Sequence, residues 1–270
     1  MVMSFKGEMP LVLIRGAGDL ATGAAHRLWK AGFRVVLLEV EKPTVVRRTV
    51  SFANAVFEGR FEVEGVTAVK TDRSDQVTEI LKEGKMPLLI DPEGESITFL
   101  RPRVLVDAIM AKKNLGTNKG QAEFVVALGP GFTAGEDVHA VVETMRGHYL
   151  GRVIRQGSAI PDTGVPGEVG GFTEERLIRA SADGIWEPSV NIGDVVQKGD
   201  TIAKVQGVEV KAQIPGIIRG LLYQGLKVHK GMKAGDIDPR AKREHCFTIS
   251  DKARAVGGGV LEAVMGGLNR

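Results

Sequence analysis

Gly16, Gly18 and Ala21 stand in GxGxxA spacing directly after an apolar run at residues 11–14 and before a segment of helical periodicity. Each has its own role in a nucleotide-type turn, where Gly16 permits the tight bend, Gly18 lets backbone approach a phosphate, and Ala21 lets the helix pack on its strand. Ala17, Asp19 and Leu20 complete the turn, whose first helical amides face an anion. Asp19 departs from the usual pattern, because a carboxylate at the helix start satisfies the amides itself and repels a pyrophosphate. Glu39 ends the next apolar run, RVVLLE, at the spacing where an acidic residue meets ribose hydroxyls. It could equally be solvated, or pair with Arg47 or Arg48.

Further candidates come from three loops. Arg47 and Arg48 are adjacent at what reads as a helix entrance, where a forked guanidinium can grip phosphate or carboxylate; adjacent helical residues do not share a face, so one of them is expected to point inward. Asp107, Lys112 and Asn114 follow the strand RVLVD, and would bring charge to the crevice of a doubly wound sheet if their loop lies on its ligand edge. Gly129, Pro130 and Gly131 end the strand VVAL, where exposed amides could hold an oxyanion or simply make a turn. Cys246, the one cysteine, has His245 beside it and Arg243 nearby, which would favour a thiolate nucleophile if they face it; otherwise it is a small buried residue. No HExxH, GxSxG or P-loop pattern occurs, no YxxxK pair exists, and no metal site is expected.

The elements that must position these residues have two textures. From residue 11 to about 126, short apolar runs alternate with helix-like segments, which predicts a parallel α/β sheet covered on both faces. Beyond about residue 145 the helical period fades into Gly- and Pro-rich sequence. The expected organisation is a Rossmann-like domain over 1–145, a β-rich domain over 146–249, and a C-terminal helix over 250–270 that packs back on the first domain despite three glycines at 257–259. A formal net charge of +3, from 36 basic and 33 acidic residues spread along the chain, argues against a nucleic-acid partner. With 43% hydrophobic residues the chain can bury a substantial core. The single cysteine fits a reducing compartment, and neither a leader pattern nor a membrane-length apolar run is present, so a cytoplasmic protein is expected.

An internal repeat marks the β-rich part. Residues 184–202, GIWEPSVNIGDVVQKGDTI, align without a gap on residues 216–234, GIIRGLLYQGLKVHKGMKA. Two interlocked β-units of this kind resemble the biotinyl/lipoyl, or barrel-sandwich hybrid, domain. The hairpin between them, AKVQGVEVKAQIPG, has Gln206 and Gly207 at its tip where a carrier domain presents lysine. A structural or docking module is therefore expected.

The chain as a whole resembles the YqeB family through LIRGAGDLATGAAHRLWKAGFRVVLLE, RRTVSFANAVFEG, ALGPGFTAGEDVHAVVETMRGHYLGRVI, GDIDPR and CFTISDKARAVGGGVLEA. That family is associated with selenium-dependent molybdenum hydroxylases and is distantly similar to the XdhC/CoxI maturation factors. The resemblance implies an accessory protein that matures such a hydroxylase, handles a molybdopterin-type cofactor and has the hydroxylase as client. It would make Cys246 the one thiol available for persulfide or selenide transfer. Two alternatives stand beside it: an NAD(P)-dependent oxidoreductase using Gly16, Gly18 and Glu39, and a scaffold that docks a client without chemistry.

Overall fold

The computed structural model describes residues 9–165 and 167–269. Residues 1–8, where the absence of a leader is read, lie outside this range, as does residue 270 of the C-terminal segment. The first half supplies strands β1 (Leu11–Arg15), β2 (Arg34–Glu39), β3 (Arg60–Val63), β4 (Val66–Thr71), β5 (Met86–Ile90), β6 (Val104–Asp107) and β7 (Phe124–Leu128). Between them lie helices α1 (Asp19–Lys30), α2 (Ala55–Glu58), α3 (Val77–Lys82) and α4 (Ser96–Leu100). Short strands β8 (Thr133–Ala134), β9 (Ala140–Val142), β10 (Val153–Ile154) and β11 (Gly157–Ser158) follow.

Nine of these strands form one sheet, in the order β10-β9-β7-β6-β1-β2-β5-β4-β3. Val12, Ile14, Val35, Leu37, Val104 and Val106 point into one buried cluster, while Leu13, Val36, Leu38 and Leu105 point into another on the opposite face. Burial on both faces is why these strands read as unbroken apolar runs.

The expected purely parallel, Rossmann-like sheet is corrected to a mixed one. In it β3 runs antiparallel to β4, and β10 antiparallel to β9. Within it the parallel core β5-β2-β1-β6-β7-β9 follows the doubly wound order 3-2-1-4-5-6, and the β3–β4 hairpin is inserted between β2 and β5 in the chain and added at the β5 edge. The cause is local. The stretch RRTVSFANAVFEG forms short 3₁₀ turns and the one-turn helix α2 instead of a crossover helix, and leads into the β3–β4 hairpin at the far edge. The chain then returns through α3 to place β5 inside.

The rest of the chain adds β12 (Leu177–Arg179), β13 (Gly184–Pro188), β14 (Val195–Val196), β15 (Thr201–Val205), β16 (Val208–Lys211), β17 (Gly216–Leu221), β18 (Lys227–Val228) and β19 (Lys233–Asp238). They form two four-stranded sheets, β12-β19-β17-β14 and β16-β15-β13-β18. The pairing is reciprocal: β14 of the first repeat unit pairs with β17 of the second, and β18 of the second with β13 of the first. Both sheets close over a core containing the fully buried Trp186. The β15–β16 hairpin turns at Gln206 and Gly207, with φ of 52° and 77°, the left-handed pair that a two-residue hairpin requires.

The expectation of a biotinyl/lipoyl barrel-sandwich is likewise corrected, to additional antiparallel sheets within a mixed α/β fold. β12 lies outside both repeat units yet extends one sheet, and β17 is tied to the loop after β2. There Leu221 N donates to Val46 O at 2.7 Å, and Arg48 Nε donates to Leu221 O at 2.7 Å.

Helix α5 (Asp251–Leu268) starts at Ser250, whose Oγ accepts from Ala253 N at 3.1 Å, and packs on α1. Gly257 has a positional reason, since a Cβ there would stand 2.5 Å from Gly23 O. Among the described residues no helix is long and apolar enough to cross a membrane.

Candidate functional site

The carboxyl ends of β1, β2, β5, β6 and β7 open into a cleft of about 880 Å³ whose far wall is the sheet containing β17 and β19. Ligands of open α/β sheets bind at this edge. Of the expected residues, Gly16, Gly18, Asp19, Leu20, Glu39, Arg47, Lys112 and Pro130 line the cleft.

The glycine turn is closed on itself. Gly16, at φ 94°, lies so near the chain after β6 that a Cβ would stand 2.8 Å from Ala108 O. The Glu39 carboxylate folds back, accepting from Ala17 N at 2.8 Å and from Val40 N at 3.1 Å. Burial pushes the Glu39 carboxyl up, against the opposing pull of those two amides. Asp19 Oδ1 accepts from Leu20 N at 3.0 Å. The carboxylate expected at a ribose and one of the amides expected at a phosphate thus satisfy each other.

Asp107 and Asn114 build the loop rather than face the cleft. Asp107 Oδ2 accepts from Thr117 Oγ1 at 2.6 Å, and the same hydroxyl accepts from the buried Arg15 Nη1 at 2.7 Å. Burial raises the Asp107 carboxyl, with Thr117 opposing. Asn114 bridges Thr117 N and Thr117 O, each at 2.8 Å. Lys112 donates to Asp162 at 2.6 Å across the cleft mouth. Gly129 and Gly131 permit close packing: a Cβ on the first would meet Thr144 Oγ1 at 2.5 Å, and on the second Lys113 N at 2.7 Å.

The adjacent arginines part company. Arg48 donates to Leu221 O and to Asn54 Oδ1, and lies 5.2 Å over the Tyr223 ring. Arg47 turns to the cleft, where its Nε and Nη2 are buried and, among the described residues, have no hydrogen-bond partner. Beside it stand residues that the motif reading passed over. Arg219, on β17, is 9% exposed; its guanidinium is destabilised first by burial and then by the charge of Arg47, with Asp236 and Asp238 opposing in part. Asp236, on β19, is 4% exposed and pairs through Oδ2 with Arg176 at 3.2 Å. The available signal was a charge inside an apolar strand, GIIRGL, and two aspartates two residues apart in KAGDID, which a strand places on one face.

Cys246 is corrected from nucleophile to packed core residue. It is fully buried, its Sγ donates to Ile218 O at 3.6 Å, and burial pushes the thiol up. A protonated, enclosed thiol is a poor nucleophile and a poor carrier of sulfur or selenium.

No family model matches the chain. Over 255 residues it is 54% identical to the Escherichia coli (strain K12) protein YqeB; the match covers 94% of this chain and 47% of that protein, so the chain spans about half the length of the curated relative it matches. Similar solved structures include a succinylglutamate desuccinylase from Silicibacter sp. TM1040, with 14% identity, 86% of this chain and 85% of that chain covered, and a TM-score of 0.25. Another is an aspartoacylase family protein from Mesorhizobium loti MAFF303099, with 12% identity, 87% of each chain covered and a TM-score of 0.28. These are desuccinylase and aspartoacylase structures, neither of which bears the expected molybdenum hydroxylase maturation role or its oxidoreductase and scaffold alternatives. The buried Cys246 removes the thiol expected for persulfide or selenide transfer, and the inward-folded Glu39 is engaged by backbone amides where the oxidoreductase alternative needed a ribose contact. TM-scores this low carry no argument for an activity of the chain.

Proposed function

We propose, under the YqeB family label that the likeness to the Escherichia coli protein supports, that the cleft binds a small organic anion whose acidic group is held by Arg47. The observation that carries this reading is the pair of buried Arg47 donors, Nε and Nη2, without a partner among the described residues. Leaving buried donors unsatisfied costs about 1–3 kcal/mol each, and more for a charged group, so an acceptor belongs there. Arg219 strengthens the case, because an anion between two like-charged guanidinia relieves their repulsion. A forked guanidinium suits carboxylate and phosphate alike. Carboxylic acids and organic phosphates, the latter including NADP and molybdopterin-type cofactors, share that chemistry. Val40, Met110 and Ile160 also line the cleft and would receive the apolar body of the ligand.

The test is thermal unfolding of the wild type and of Arg47→Met with millimolar succinate, inorganic phosphate or NADP. A ligand that binds the native state raises the melting temperature. At least one probe is expected to stabilise the wild type and to lose that effect in the variant. Equal stabilisation of both proteins by every probe that acts refutes the reading.

A further inference from the structure

We infer that the acid bound at Arg47 carries a hydrogen-bond donor on the carbon next to its carboxylate, as α-amino and α-hydroxy acids do, and that Asp236 Oδ1 receives this donor. The inference rests on the anion-binding reading above and names the class of ligand for the same site.

Asp236 is 4% exposed and lines the cleft. Its Oδ2 is taken by Arg176, while Oδ1 is buried and, among the described residues, has no partner. Gly220 fixes how near this acceptor lies to Arg47. A Cβ built on Gly220 would overlap Asp236 Oδ1 and stand 3.2 Å from Arg47 Cδ. The two side chains therefore flank one backbone carbon, and the absence of a side chain there leaves room for both. Opposite charges are held side by side without bonding each other, since Arg47 Nε, Arg47 Nη2 and Asp236 Oδ1 are all unpartnered.

A group that completes this arrangement accepts from the guanidinium and donates to the carboxylate within a few ångströms. A simple carboxylate meets the first requirement and fails the second, because it sets a second negative charge beside Asp236. An ammonium or hydroxyl on the adjacent carbon meets both. Buried polar groups that a ligand leaves unpaired are what make such a site reject the analogue lacking the donor.

The experiment is calorimetric titration of the full chain with two matched pairs of acids, L-malate against succinate and L-glutamate against glutarate. In the wild type the hydroxy or amino member of at least one pair is expected to bind on the order of tenfold more tightly, the range of a hydrogen bond to a charged group. Asp236→Asn is expected to reduce that preference and Arg47→Met to abolish binding of both members. Equal affinities within both pairs in the wild type, with dependence on Arg47 retained, overturn the role of Asp236 and leave the anion site standing; a bridging water then satisfies Oδ1. Full preference in a folded Asp236→Asn variant overturns the role as well. Failure of all four acids to bind overturns this inference, while the anion site itself is decided by the phosphate and NADP arms of the thermal-unfolding test. The wild-type comparison needs no variant to fold.

Discussion

Gly257 and Gly258 are neighbours in α5 with opposite surroundings, and alanine at the two positions is expected to change stability with opposite sign. At Gly258 no atom lies within 4 Å of an added Cβ. Alanine there contributes its helix propensity alone, about 1 kcal/mol over glycine. At Gly257 the added carbon would stand 2.5 Å from Gly23 O and 2.8 Å from Gly23 C, both backbone atoms of α1 that cannot rotate away. Overpacking costs about 1–3 kcal/mol, and rigid backbone neighbours place this site at the upper end. Subtracting the propensity gain leaves a net loss of about 2 kcal/mol. In a chain of this size each 1 kcal/mol moves the melting temperature by roughly 2–4 °C, so Gly257→Ala should melt about 4–8 °C below the wild type and Gly258→Ala about 2–4 °C above it. Calorimetry or urea midpoints at one pH measure both. A Gly257→Ala protein at least as stable as the wild type would falsify the close α1–α5 contact. A destabilised Gly258→Ala would show that the open face of α5 is covered.

Two further outcomes follow from buried titratable groups. Burial raises the Glu39 carboxyl in the folded state, so its contribution is complete below the unfolded value of about 4.3 and is lost as pH rises through the folded value. Glu39→Gln, which cannot ionise, is expected to gain on the wild type between about pH 4 and about pH 7 in urea midpoints; parallel curves refute the assignment. The Cys246 thiol is enclosed and shifted up, so iodoacetamide at about pH 8 should modify it after urea unfolding and leave the native protein unlabelled by mass spectrometry. Rapid native labelling refutes the packed placement.

What the sequence determined by itself is local. The run LVLIR, the bend at Gly16 and the helix beginning at Asp19 follow from apolar periodicity and from glycine's access to positive φ, both properties of neighbouring residues. The repeat that becomes the reciprocal pairs β13–β18 and β14–β17 was visible for the same reason. Tertiary structure decided the rest. Sheet order depended on where the chain re-entered after the β3–β4 hairpin, which no local period encodes. The fates of Arg47 and Arg48 were separated by the approach of β17, which supplied Leu221 O to one and left the donors of the other facing the cleft. Glu39 met the Ala17 amide across the sheet edge, and Cys246 was enclosed by β17. Arg219 and Asp236 reach Arg47 across more than 170 residues of chain, through strands of a different sheet. Their charges are plain in the sequence; their proximity exists because the sheet of β17 and β19 docks on the loop after β2, where Leu221 bonds Val46 and Arg48, and carries those side chains with it.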